Sequence, residues 1–125
     1  MSAILANPLT APQVLSVQRL PADHAQEVQL TLHVQRELRW FEGHFPDVPL
    51  LPGVVQTTWA VEFARQHFSL PAQFRTMSNM KFMRFIMPAT TVELWLRYAA
   101  DKRELSFEYR ERDQVCASGR IGFGE

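Results

Sequence analysis

His44 stands in the run His44-Phe45-Pro46-Asp47-Val48-Pro49-Leu50-Leu51-Pro52-Gly53, and an imidazole is the side chain best suited to moving a proton near neutral pH. Pro46, Pro49 and Pro52 recur at every third position, hold φ at about −65° and push the residues before them out of the helical region, so the loop should be stiff. Past Gly53 the pattern turns helical, with Val54, Val55, Trp59, Phe63 and Ala64 set among polar positions as far as Phe68. A helix opening at Gly53 offers free N–H groups and the positive end of its dipole, with no β-carbon to keep a ligand away. Such a start stabilises an oxygen that is gaining negative charge, for example a carbonyl becoming an enolate, while His44 removes or returns the proton. The plainer reading of His44 is a loop residue that caps a turn. Among His24, His33, His44 and His67, it alone has surroundings of the first kind.

The elements that must position this pair follow from the rest of the chain. At 125 residues it is expected to be one domain, 1–125, with 1–12 a loose lead-in, and small enough that a second subunit completes its site. Lys and Arg number 13 against 13 Asp and Glu, which leaves no basic surplus for nucleic acid. Residues 71–125 lean basic, with 9 basic and 7 acidic side chains against 4 and 6 in residues 1–70. The single cysteine, Cys116, reads as a small packed thiol in a strand. A cytoplasmic location is expected, since the N-terminus lacks a signal-peptide pattern and no apolar run approaches the ~20 residues of a membrane span. Paired Cys/His clusters at metal spacing, a phosphate-binding glycine loop and a Gly-x-Ser-x-Gly elbow are all missing from the sequence.

Val14–Leu20 is a weakly marked strand, whereas from Glu27 to Gln35 the alternation is strict. Val28, Leu30, Leu32 and Val34 take one face, and Gln29, Thr31, His33 and Gln35 take a solvated one. After the helix the chain reads as nearly all strand: Met80, Phe82 and Ile86 up to Pro88, then Val92 to Tyr98. Asp101-Lys102 marks a turn before Leu105, Phe107 and Tyr109, and the last strand carries Val115, Ala117, Ile121 and Phe123. One buried helix followed by antiparallel hairpins predicts an α+β fold in which a curved sheet wraps the helix. Met77, Met80, Met83 and Met87 gather around Phe82 and Phe85, either as core or as the adaptable wall of an acyl tunnel. Arg84 falls on the face of Met80, Phe82 and Ile86, where it needs a partner or an exit to solvent.

The segments GHFPDVPLLPGVV at 43–55 and KFMRFIMPATTVEL at 81–94 resemble the β-hydroxyacyl-acyl carrier protein dehydratases of fatty-acid synthesis, the FabA/FabZ type. These carry an HFP-to-PG loop and a KF-x-R strand. The clear resemblance covers residues 40–95 and implies the hotdog fold, a central helix wrapped by an antiparallel sheet. It further implies a homodimer or higher oligomer that eliminates water from a 3-hydroxyacyl thioester. The substrate would ride on the phosphopantetheine of an acyl carrier protein, with no other cofactor and no metal. On that resemblance His44 takes the C2 proton and the Gly53 N–H binds the thioester carbonyl, with Phe45, Pro52, Val54 and Trp59 around the substrate. Lys81 and Arg84 would help dock the acidic carrier protein, for which a local basic patch suffices.

The resemblance places the family's helix carboxylate, supplied by the other subunit, five residues after the glycine, where this chain has Thr58. A threonine does not deliver a proton to a leaving hydroxyl at neutral pH, and loss of a general acid costs ~10²–10⁴ in rate. Glu62, where the family often has glutamine, lies one turn on, ~6 Å up the axis, and leans back over Thr58. Set between Val55, Trp59 and Phe63 it would have its pKa raised by desolvation and serve as the acid; otherwise it pairs with Arg65 or Arg84, and Thr58 with a water is the remaining catalytic option. The wording LPGVVQTTWA also looks like a subgroup from aryl-polyene clusters, where a dehydratase-like subunit works beside a second one. The alternatives are therefore a catalytically weak hotdog subunit that binds acyl chains or pairs with an active paralogue and, further off, an acyl thioesterase.

Overall fold

A computed structural model describes residues 9–21, 25–41 and 50–124. His44, Phe45, Pro46 and Pro49 lie outside the described residues, as does the lead-in up to residue 8. The chain forms β1 (Gln13–Leu20), β2 (Gln26–Val34), a single 3₁₀ turn (Arg39–Phe41), α1 (Gly53–His67), β3 (Gln73–Phe82), β4 (Thr90–Ala99), β5 (Glu104–Glu111) and β6 (Gln114–Gly124). The strands make one six-stranded sheet in the order β1-β2-β4-β5-β6-β3, and every neighbouring pair is antiparallel. The expected α+β architecture is thus present, and the helix carries the chain from the β1–β2 hairpin to the opposite edge.

Alternation in β2 dictates which face is inside. Val28, Leu30, Leu32 and Val34 are buried as expected, and register carries that face across the sheet. Leu30 lies opposite Leu94, Leu94 opposite Tyr109, Tyr109 opposite Ala117, and Ala117 opposite Phe82. The parallel row runs Val28, Leu96, Phe107, Gly119. Onto these rows α1 lays Val55, Trp59, Ala60, Phe63 and Ala64, closing one apolar core. Cys116 is buried and unbridged, and burial pushes its thiol pKa up, as fits a packed thiol. His33 is half-buried rather than solvated, because the outer face of β2 is flanked by both β1 and β4.

Two expectations need correction at β3. The strand stops at Phe82 and does not run to Pro88, because the amides of Met83 and Arg84 both turn to the Cys116 carbonyl at 2.8 and 3.1 Å. Arg84 therefore sits exposed in an irregular link and does not share a strand face with Phe82, while Ile86 plugs into the core. Residues 9–12 are also held in place: the Leu9 carbonyl accepts the Arg39 amide, and the Thr10 carbonyl accepts the indole N–H of both Trp40 and Trp59.

At the far end of α1, the His67 carbonyl accepts a hydrogen bond from the Arg19 guanidinium. Burial first, and the Arg19 charge second, hold the His67 imidazole below its ordinary pKa. The unfolded chain then binds the proton more readily than the folded one, so stability is present above the ordinary histidine range and is lost as pH falls below it. Urea midpoints between pH 7.5 and 5 should show a decline with acid that is smaller in His67→Gln. A decline of equal size in both proteins would remove His67 as its source.

Candidate active site at the start of the helix

The first turn of α1 is built to leave donors open. Its N-cap is Pro52, with φ −61° and ψ 146°, and no side chain caps it. Val55 and Gln56 both donate to the Pro52 carbonyl at 3.1 Å, and no acceptor among the described residues meets the amides of Gly53 and Val54. With no acidic side chain in the first turn, the positive end of the dipole there is not neutralised locally.

Gly53 and Val54 line a groove of about 520 Å³, within the usual range for a small-molecule pocket. One wall is the helix flank of Val54, Thr57, Thr58, Val61 and Glu62; the other is the inner face of β3, where Phe74, Met77, Met80 and Phe82 line up above Ile121. Simple alternation would send Met77 to the opposite face from Met80 and Phe82. A bulge between Ser78 and Lys81, with Asn79 at φ 54°, adds the residue that brings all three inside. Met77 and Met80 thus serve as groove wall, whereas Met83 and Met87 stand exposed beyond the strand.

The Phe82 ring reaches the helix start. A β-carbon on Gly53 would lie 3.0 Å from two of its ring carbons, so glycine is what lets ring and helix meet. Val54, expected in a mostly buried helix, is 73% exposed and turned toward the groove mouth. Thr58 donates its hydroxyl to the Val54 carbonyl at 2.8 Å. Glu62 is exposed, and not enclosed by Val55, Trp59 and Phe63, because those three side chains turn inward to the sheet while Glu62 occupies the flank. Nor does it pair with Arg65, whose guanidinium donates to the Pro71 and Ala72 carbonyls and stacks over Phe123.

Thr58 and Glu62 also border a second cavity of about 380 Å³, lined by Thr10, Trp40 and Trp59, so the two form a ridge between both spaces. Trp59 belongs to this smaller cavity and not to the groove. Lys81 points to the outer face of the sheet, into a depression shared with Arg97, Arg110 and Arg120, and Arg84 is not among its lining residues. Arg97 and Arg120 were not singled out in the sequence because they join Lys81 only through strand register. Among the described residues no group of three or more His, Cys, Asp or Glu could hold a metal ion. No helix among them is long and apolar enough to cross a membrane.

Residues 20–120 match the ApeI-like family model, described as ApeI dehydratase. The chain belongs to this ApeI-like dehydratase family. FabZ of Brucella abortus (strain S19), a 3-hydroxyacyl-[acyl-carrier-protein] dehydratase, is 30% identical over an alignment 74 residues long that covers 53% of this chain and 47% of that protein. The chain spans about half the length of the curated relatives it matches. Two solved structures share the ApeI-like hotdog architecture at a TM-score of 0.83. An uncharacterized protein from Erwinia carotovora subsp. atroseptica is 34% identical, over 92% of this chain and 97% of its own. The dehydratase heterocomplex ApeI:P from Xenorhabdus doucetiae matches at 31% identity, over 93% of this chain and 100% of the matched one.

The contact between Gly53 and Phe82 yields a direct test. Because the ring is half-exposed and can slide, Gly53→Ala should change unfolding free energy by less than about 1 kcal/mol, and in a Phe82→Ala background it should stabilise by a few tenths. Urea midpoints of the four proteins measure both, and an alanine cost that is the same with and without the ring would show that this contact does not select glycine.

Proposed function

We propose that this chain catalyses dehydration of a 3-hydroxyacyl thioester carried by an acyl carrier protein. The observation that supports the reading best is an uncapped helix start whose first two residues, with no acceptor for their amides among the described residues, line an apolar groove of acyl-chain dimensions. In the reaction, His44 takes a C2 proton and the thioester oxygen gathers negative charge against the Gly53 and Val54 amides. The electron pair then forms the C2–C3 double bond as the C3–O bond breaks, and the leaving hydroxide takes a proton from Glu62, held as the neutral acid only once a second subunit closes the groove and desolvates it, to become water. His44 returns its proton to solvent and Glu62 is reprotonated. Thr58, already donating to the Val54 carbonyl, takes no proton-transfer role and shapes the ridge beneath Glu62.

The groove is open on the β3 side, where Phe74, Met77, Phe82, Met83 and Phe85 are all between 48% and 66% exposed at a free strand edge. A homodimer formed along this edge would cover these side chains and turn the groove into a tunnel, dry enough to strengthen the amide–oxyanion interaction. Lys81, Arg97 and Arg120, beside Arg110 paired with Glu108, outweigh Glu27 on the outer face and offer an acidic carrier protein a locally basic surface. A second reading has this chain as the less active member of a pair with a paralogous dehydratase. Thr58 at the helix position and the heterocomplex form of the Xenorhabdus relative favour it.

Enoyl formation from a 3-hydroxyacyl-carrier-protein thioester, followed by mass spectrometry, separates these readings. The purified chain should release water on its own; turnover only after a paralogue is added would establish the second reading. His44→Ala should lower kcat by ~10²–10⁴ with the fold intact by circular dichroism. Glu62→Gln should lower it by a similar factor, and an unchanged rate would take Glu62 out of the mechanism.

A further inference from the structure

Gln56 is the polar side chain that the core accepts among the described residues, at 3% exposure. It sits in the first turn of α1, three positions after Gly53, and faces the sheet. Its side-chain Nε2 donates to the Leu51 carbonyl at 3.0 Å, and its own carbonyl accepts the Tyr109 hydroxyl from β5 at 2.6 Å. The Leu51 amide in turn donates to the Ile86 carbonyl at 2.9 Å. Gln56 Oε1 is buried without a partner. An apolar side chain of the same shape would carry no such orphan, so stability alone does not explain a glutamine here.

The backbone geometry shows what the amide group can do. Leu51 O belongs to the peptide plane before Pro52, and Gly53 N–H belongs to the plane after it. The proline ring fixes φ between them, observed at −61°, so one torsion remains: ψ of Pro52, at 146°. That torsion is held by the Pro52 carbonyl, which accepts from Val55 and from Gln56 itself. With Leu51 O tied by the Gln56 side chain and Pro52 O tied by backbone, the direction of the Gly53 N–H is determined from both sides. Tyr109 anchors the same residue to the sheet.

We propose that Gln56 is a positioning residue, which aims the Gly53 N–H into the groove by clamping the Leu51 carbonyl to the first helical turn. Its catalytic consequence rests on the dehydratase reading; its structural consequence does not. Gln56→Met keeps length and apolar fit while removing both the donor and the orphaned acceptor. The thermal midpoint should stay within about 3 °C of wild type, because one lost bond is offset by one relieved orphan. The Gly53 amide resonance should shift, kcat should fall by about tenfold or more, and KM should stay within about twofold, as for a donor that matters most in the transition state. Gln56→Leu, which likewise cannot donate to Leu51 O, should reproduce the kcat loss. Unchanged kcat with an unmoved Gly53 resonance would overturn the proposal, as would a fall in kcat matched by a large fall in midpoint in both variants. If the wild-type chain forms no enoyl product, the dehydratase reading fails, and titration with a saturated acyl pantetheine thioester decides the positioning role. Affinity reduced about fivefold or more in Gln56→Met, with perturbation of the Gly53 amide, supports it, and equal affinity in the two proteins rejects it.

Discussion

The structure depends on a helix that begins without a cap and is held by other means. Most helices satisfy their first amides with a serine, threonine or aspartate side chain. Here Pro52 stands at that position, two amides are left open, and the work of fixing the turn passes to residues outside it. Gln56 and Tyr109 clamp it from the core, and Phe82 presses on Gly53 from the edge strand. Open donors cost stability unless water or a ligand meets them, so this helix start is free to receive an electron-rich oxygen in place of water.

That constraint bears on the sheet edge beside the helix start. Four strands, β2, β4, β5 and β6, supply the core under α1; edge strand β1 is exposed, and so, along nearly its whole length, is β3. Its inner face carries Phe74, Met77, Met80 and Phe82, apolar enough for a core but aligned instead as a groove wall beside the open amides. The same strand sends Lys81 to the basic outer face, so one bulged edge element serves apolar and charged surfaces at once.

Much of this was legible in the residues. Strict alternation in β2 marks its buried face, and the helical spacing after Gly53 marks Val55, Trp59, Phe63 and Ala64 as buried, since both are local periodicities imposed by a single core. The unread parts depend on longer-range geometry. Met77 reaches the groove only because of an unpaired residue near Asn79, which alternation does not reveal. The same periodicity placed Val54 and Glu62 too near the core, because both stand on the flank where α1 turns away from the sheet. Gln56 reads as one more polar helix position until Leu51 and Tyr109 are brought beside it by the fold. His44 and Phe45 lie outside the described residues, and their part in the chemistry rests on the motif they share with the family.

A crystal structure with a bound, unreactive acyl pantetheine thioester measures the decisive geometry. The carbonyl oxygen should lie about 2.7–3.1 Å from the Gly53 amide nitrogen, with the chain running along Met77, Met80 and Phe82. An acyl group seated elsewhere, with those amides still facing water, would contradict the site.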